Sequence, residues 1–256
     1  GERHMLGSTP KVKVALVSCT DHTGTMVPVL FPTYNCSTRP SANSERLHTT
    51  WVKGLQASTA AGTYFPPVVI NGHSYYDGGS MYNCPAPLAI TEARALWPYN
   101  PIDLVLSCGT GSSVSSTNGL FDAFRLLRVM KQHVDIATNS ERSWQDAITL
   151  MSPEKADRCH RLNPTGSVAC ALDDFTKIPQ ILQQTNDWLE GDGEPQIAKI
   201  AHSILASLFY FEGIWWDGNT VVGSIRSRCQ LPDGLLRALQ SGVVGFHVTA
   251  PNSITL

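Results

Sequence analysis

The sequence predicts a layered α/β fold with a mostly helical C-terminal extension, and three observations carry that expectation. Two apolar, β-branched runs of strand length, Val12 to Cys19 and Ile102 to Cys108, flank helix-patterned segments. The second run follows a helix that Pro98 ends, and this alternation of strand and helix builds a sheet covered on its faces. Beyond Ser152-Pro153 the pattern changes to two helical segments, Asp173 to Glu190 and Glu194 to Phe211, separated by Gly191-Asp192-Gly193.

Taken in order, Val12 to Cys19 gives way to Thr20-Asp21-His22-Thr23-Gly24, which is turn chemistry. Val27 to Phe31 then provides a second strand that ends at Pro32 and could complete a hairpin. Cys36 to Leu47 is polar, contains Pro40 and reads as a loop. Thr49 to Ala61 is rich in small residues and helix formers, and Thr-Thr supplies a cap at its start. Val68 to Ile70 and Tyr75-Tyr76 are short strands around Asn71-Gly72.

Ala86 to Ala95 is helical, with Pro87 in its first turn. Ile102 to Cys108 is a strand buried on both faces, leading into Gly109-Thr110-Gly111. Phe121 to Ile148 is helical, its Phe/Leu/Met stripe belonging to the core. The last forty residues mix strand-like pieces, Val221 to Cys229 and Val243 to Thr249, with a helix from Gly234 to Gln240. The expected division is a tag or loop over 1–10, the principal α/β portion over 11–151, and a mainly helical extension over 152–256.

Only 16% of the 256 residues are charged, against roughly 25% in ordinary soluble domains. The net charge is −2 and 42% of residues are hydrophobic, which argues against disorder and against a nucleic acid partner. No run of eighteen uninterrupted apolar residues exists. The nearest approach, Ile197 to Trp216, is broken by Lys199, His202 and Glu212. Seven cysteines, at 19, 36, 84, 108, 159, 170 and 229, have no CxxC spacing and read as buried, reduced thiols of an intracellular protein. The eight histidines are dispersed without a zinc spacing, no P-loop or GxGxxG is present, and neither a metal nor a cofactor is expected. Trp215-Trp216 either dips into a lipid interface or packs against the preceding helices.

The segment with most chemical content is Tyr75-Tyr76-Asp77-Gly78-Gly79-Ser80. A carboxylate at the end of an aromatic strand, followed by two glycines, is held where the backbone bends sharply and another group can approach. Asp-Gly is also among the commonest turn dipeptides, and alone it reads as a surface turn. Its company distinguishes it: Ala57-Ser58-Thr59-Ala60-Ala61-Gly62-Thr63-Tyr64-Phe65-Pro66-Pro67 before it, then Asn83-Cys84-Pro85, Glu92-Ala93 and Ser107-Cys108-Gly109-Thr110-Gly111 after it.

In this order and spacing, the blocks resemble the second half of a patatin-like phospholipase domain, over about residues 11 to 150. Arg161-Leu162-Asn163 and Ala206 to Phe211 resemble the extension of large fungal members. The resemblance implies a layered, three-layer-type patatin-like sheet and a Ser-Asp dyad that cleaves lipid esters. Asp77 is then the dyad aspartate, with Gly78 and Gly79 supporting it. A serine hydroxyl needs an adjacent proton acceptor to attack, and the oxyanion that forms needs donors from a glycine-rich loop. The Gly-x-Ser-x-Gly elbow of the family occurs nowhere in the 256 residues, nor does the glycine-rich oxyanion loop. Cys84 stands where the family usually has a second Asn, and Gly62 where Pro is common.

The expectation is therefore the C-terminal portion of a longer lipid acyl hydrolase of phospholipase A type, inactive as an isolated chain. It is expected to be intracellular, in the cytoplasm or peripheral at membranes. Its expected partners are a lipid or phospholipid ester, a membrane surface, and the N-terminal portion of the same protein. The rival reading is a non-catalytic binding or scaffolding domain that keeps only this half of the fold. On either reading, Val12 to Cys19 and Ile102 to Cys108 are expected to lie beside strands the chain does not supply, leaving open edges and marginal solubility.

Overall fold

A computed structural model describes residue 5 and residues 12–35, 49–62, 64–111, 140–166, 174–217, 220–231 and 233–241. The expected loop from Cys36 to Leu47, the helix before residue 140 and the strand Val243 to Thr249 lie outside the described residues. Helices and strands are mixed along the chain, which is compatible with an α/β fold. The chain divides into two compact units, Gly1–Ile197 and Ala198–Leu256.

In the first unit, β1 (Ala15–His22) and β2 (Thr25–Pro32) form an antiparallel hairpin. Its two-residue loop, Thr23-Gly24, has φ of 53° and 83°, the left-handed pair whose twist matches that of the flanking strands. α1 (Trp51–Ser58) starts at Thr50, whose hydroxyl accepts from the Lys53 N–H. β3 (Val68–Ile70) and β4 (His73–Asp77) form a second hairpin around Asn71-Gly72, with φ of 50° and 79°. The sheet order is β2-β1-β4-β3, antiparallel throughout.

This topology corrects one expectation. The strand expected over Val12 to Cys19 runs as β1, and β2 and β4 pair with it on both sides, so it has no edge waiting for a further strand. Its apolar character comes from its central place in this sheet.

The core of the sheet lies under α1. Met5, Val29, Phe31, Ala57, Ile70 and Tyr75 are buried together, with Leu16, Trp51 and Val68 against them. Phe31 and Tyr75 meet edge to face at 5.2 Å. Gly54 lets the helix come close: a Cβ there would lie 2.7 Å from the Met5 sulfur.

α2 (Ala86–Leu96) carries Pro87 in its first turn and stops before Pro98. β5 (Val105–Cys108) pairs in parallel with β6 (Cys159–Leu162). The helix over residues 140–150, α3, and α2 cover this pair, burying Cys84, Ala86, Ile90, Trp144, Ala147 and Met151 together. β5 is less enclosed than its apolar run implies, since Leu106 is 42% exposed and Cys108 is exposed. Arg94 donates to the Leu150 carbonyl, tying α2 to the end of α3.

α4 (Ile178–Glu190) and α5 (Glu194–Ser207) follow, separated by the expected glycine turn. The helix does not continue to Phe211. It ends at Ser207, and Phe209–Asp217 forms β7, antiparallel to β8 (Thr220–Ser227) with a bulge between Glu212 and Trp215. β-branched and aromatic residues favour a strand there, and an unbroken apolar run hides the change of period. α6 (Asp233–Gln240) is the last described element. No described helix is long and apolar enough to cross a membrane.

Candidate active site

Asp77 is the last residue of β4 and sits opposite Ser18 of β1. Two neighbouring segments fix its main chain. Its N–H donates to the Ala60 carbonyl at 3.1 Å, and its carbonyl accepts the Cys19 thiol at 3.2 Å. The small-residue block Ala57 to Ala60, noted in the sequence before Asp77, is thus brought against it by the C-terminal end of α1. Ser18 and Ser58 complete the seam: Ser18 Oγ donates to the Tyr76 carbonyl at 2.6 Å and to the Ala57 carbonyl at 3.2 Å, and Ser58 Oγ donates to the Val17 carbonyl at 2.6 Å.

The two glycines after Asp77 have separate tasks. Gly78 is buried against the Val17 carbonyl, where a Cβ would collide with main chain. Gly79 presents its N–H to Asp77 Oδ1 at 2.6 Å, so that the half-buried carboxylate caps the single 3₁₀ turn Gly78–Ser80. Among the described residues no donor reaches Oδ2. The main chain thus holds one oxygen, Oδ1. Ser80 is exposed on that turn, and His73 is exposed at the opposite end of β4.

Cys19 is fully buried, and burial, followed by the charge of Asp77, raises its thiol pKa. Burial followed by Asp157 does the same to Cys159. The reading of buried thiols therefore holds for Cys19 and Cys84, while Cys108 and Cys229 are exposed. The five described cysteines are all free. Among the described residues no group of three or more His, Cys, Asp or Glu gathers as a metal site.

A second cluster forms around β6. Arg161, with a side chain 9% exposed, donates from Nη1 to Ser107 Oγ at 2.8 Å and to the Cys84 sulfur at 3.4 Å, and from Nη2 to Ser140 Oγ at 3.5 Å. Its Nε lies 3.7 Å from Glu141. Asn163, two residues on, accepts the Gly111 N–H at 3.0 Å and lies against Gly109. The sequence blocks Asn83-Cys84-Pro85, Ser107 to Gly111 and Arg161 to Asn163 thus meet in one place. Sequence reasoning gave Arg161 and Asn163 no part in a site. The only signal was a charged residue and an amide in a run that register places beside β5. Glu92 is buried in α2 and accepts the Tyr34 hydroxyl at 2.9 Å.

The chain has homologues among the patatin-like phospholipases. It is similar to calcium-independent phospholipase A2-gamma of Rattus norvegicus, 29% identical over 196 residues, covering 73% of this chain and 25% of that protein. The Homo sapiens protein of the same name is 28% identical over 195 residues, with 74% and 24% coverage. Phospholipase A I of Arabidopsis thaliana is 26% identical over 172 residues, with 66% and 13% coverage. The chain spans about a quarter of the length of the calcium-independent phospholipases it matches. No protein-family model matches it.

Proposed function

We propose that this chain is part of a phospholipid acyl hydrolase and that Asp77 is the carboxylate of a Ser-Asp dyad whose serine lies outside the 256 residues. Similarity to phospholipases over about three-quarters of the chain supports the substrate class. The observation that carries the site is the Asp77 carboxylate, fixed through Oδ1 by the Gly79 N–H, with no described donor on Oδ2.

In this reading the serine hydroxyl passes its proton toward Oδ2 as its oxygen attacks the ester carbonyl. The tetrahedral oxyanion is met by main-chain N–H donors of a glycine-rich loop, also outside this chain. The lipid alcohol leaves with the proton, and water then cleaves the acyl-enzyme by the same path in reverse. The Gly79 N–H keeps the carboxylate from rotating during these transfers. The four-stranded sheet and β5 are parts of one layered patatin-like sheet over residues 11–151, to which the extension, 152–256, adds β6. The protein works in the cell interior, peripherally at membranes, with the N-terminal portion of the same protein completing the site.

The test joins this chain to the segment encoded upstream of Gly1 and measures hydrolysis of an activated ester and of phospholipid vesicles. Asp77→Asn should lower kcat by at least about a hundredfold, in the range seen when a dyad or triad member is removed. Retained activity in the variant would remove Asp77 from the chemistry. A joined protein with no ester hydrolysis at all would favour a binding module.

A further inference from the structure

We infer that Arg161 is a positioning residue for the Asp77 turn; the inference rests on the dyad reading above. The guanidinium leaves β6 and enters the space between the turn after Asp77, strand β5 and the first residues of α3. It meets one residue from each of the first two, Cys84 and Ser107, and two from the third, Ser140 and Glu141. Arginine alone among side chains carries a planar fork of five N–H donors that can hold three directions at once.

The consequence for Asp77 follows from how the segment 78–84 is anchored. Its first end is fixed by β1, through Gly78 against Val17 and the Cys19 thiol on the Asp77 carbonyl. Its middle is a tight turn in which the Met81 and Tyr82 N–H groups both reach the Gly78 carbonyl, at 3.1 and 2.8 Å. Asn83 Oδ1 lies 3.8 Å from where a Cβ on Gly79 would stand, so its amide packs against the residue that donates to Asp77 Oδ1. The next residue, Cys84, is 1% exposed, and its sulfur accepts from Arg161 Nη1. Arg161 thus pins the second end, and Gly79 is held between two anchors.

A lysine at 161 keeps the charge but cannot reach the Ser107 hydroxyl, the Cys84 sulfur and the Ser140 hydroxyl together. The turn would then lose its charged tie at the Cys84 end, leaving Cys84 to core packing and its 3.6 Å contact with the Ser107 hydroxyl, while the β1–β4 pairing persists. A small displacement of a group aligned with a nucleophile costs rate on the order of tenfold to a hundredfold without altering substrate binding.

Amide hydrogen exchange on the chain as it stands reads the anchoring without any need for activity. Arg161→Lys should speed exchange of the Gly79, Met81 and Tyr82 amides by about tenfold or more, a loss of order one hydrogen bond's protection. The β1–β2 amides should be unchanged. Equal exchange in variant and parent would overturn the proposal. If Arg161→Lys loses protection in β1 and β2 as well, the milder Ser107→Ala carries the test, with the same three amides faster and the hairpin intact. Ser107→Ala exchange matching the parent would overturn it too.

In the joined protein, kcat of Arg161→Lys should fall about tenfold or more with KM within about twofold. Added guanidinium at millimolar level should restore part of the kcat lost by Arg161→Ala. Unchanged kcat beside an inactive Asp77→Asn would reject the positioning role alone. An active Asp77→Asn would reject the dyad reading, leaving the exchange result to decide what Arg161 anchors.

Discussion

The thiol of Cys19 donates to the main-chain carbonyl of Asp77 at 3.2 Å, joining the centre of β1 to the residue at the tip of β4. A fully buried sulfur thereby becomes part of the frame that presents a carboxylate. The same proximity, after burial, raises the thiol pKa, because an anion at Cys19 would face the Asp77 charge in a poorly hydrated place.

The pH dependence follows from the direction of that shift. Cys19 and Cys159 both have folded values above the unfolded value of about 8.5. Their contribution to stability is complete below that pH and is lost as pH rises through the folded values. The melting midpoint should fall as pH rises above about 8.5, and the fall should be shallower in Cys19→Ser, whose hydroxyl keeps the hydrogen bond and does not titrate. Calorimetry of both proteins across that range decides it. An identical alkaline slope would exclude Cys19 as a contributor.

Gly78 and Gly62 should respond to the same substitution in opposite senses. Alanine at 78 drives its Cβ into the Val17 carbonyl, main chain that cannot move without breaking the β1 seam. A loss of about 1–3 kcal/mol is expected, the usual cost of overpacking. Alanine at 62 meets nothing within 4 Å among the described residues and has no positive φ to oppose it. It should stabilise by about 0.4–1 kcal/mol through the unfolded chain. Denaturant midpoints measure both.

Much of this arrangement was legible in the sequence where local chemistry decides. Asn71-Gly72 announces a two-residue hairpin and Thr20 to Gly24 a turn, of which only Thr23-Gly24 forms the loop because β1 runs on to His22; Thr50 announces a helix cap, and Pro98 a helix stop. Asp77 stood out through the blocks around it, Ala57 to Pro67 before and Asn83-Cys84-Pro85 after, since Asp-Gly alone reads as a surface turn. What was not legible is set by register. Ser18 and Cys19 look like interruptions of an apolar strand until β4 lies opposite them. Cys159–Leu162 carries His160 and Arg161, and nothing local marks it as a strand; parallel pairing with β5 does. The assumption that β1 needed an external partner failed for the same reason, since β2 and β4 fill both its sides.

Asp77→Asn should leave the fold intact, which makes it a clean probe of chemistry. The Asn side-chain oxygen can accept the Gly79 N–H as Oδ1 does, and the carbonyl and N–H of residue 77 are unaffected by the change. Thermal stability within about 0.5 kcal/mol of the parent is expected, as for substitutions that preserve their contacts. A large loss would mean that the carboxylate charge itself holds the turn.

The contact between Asn163 and Gly109 should appear as coupling between two substitutions. Gly109→Ala alone places a Cβ against the Asn163 amide, and relieving that contact would pull the amide from the Gly111 N–H it holds at 3.0 Å. Asn163→Ala alone loses that hydrogen bond but opens the space, leaving only its own Cβ about where a Cβ on Gly109 can be tolerated with a shift of a few tenths of an ångström, since the approach there is 3.2 Å. The double variant should therefore be more stable than the two single losses together imply, by about 0.5–3 kcal/mol, the range for residues in direct contact. Urea unfolding of the four proteins supplies the cycle. Additive losses would mean that the Asn163–Gly109 contact does not shape the Gly-Thr-Gly turn, leaving the Gly109 N–H on the Leu162 carbonyl, at 2.7 Å, to hold it.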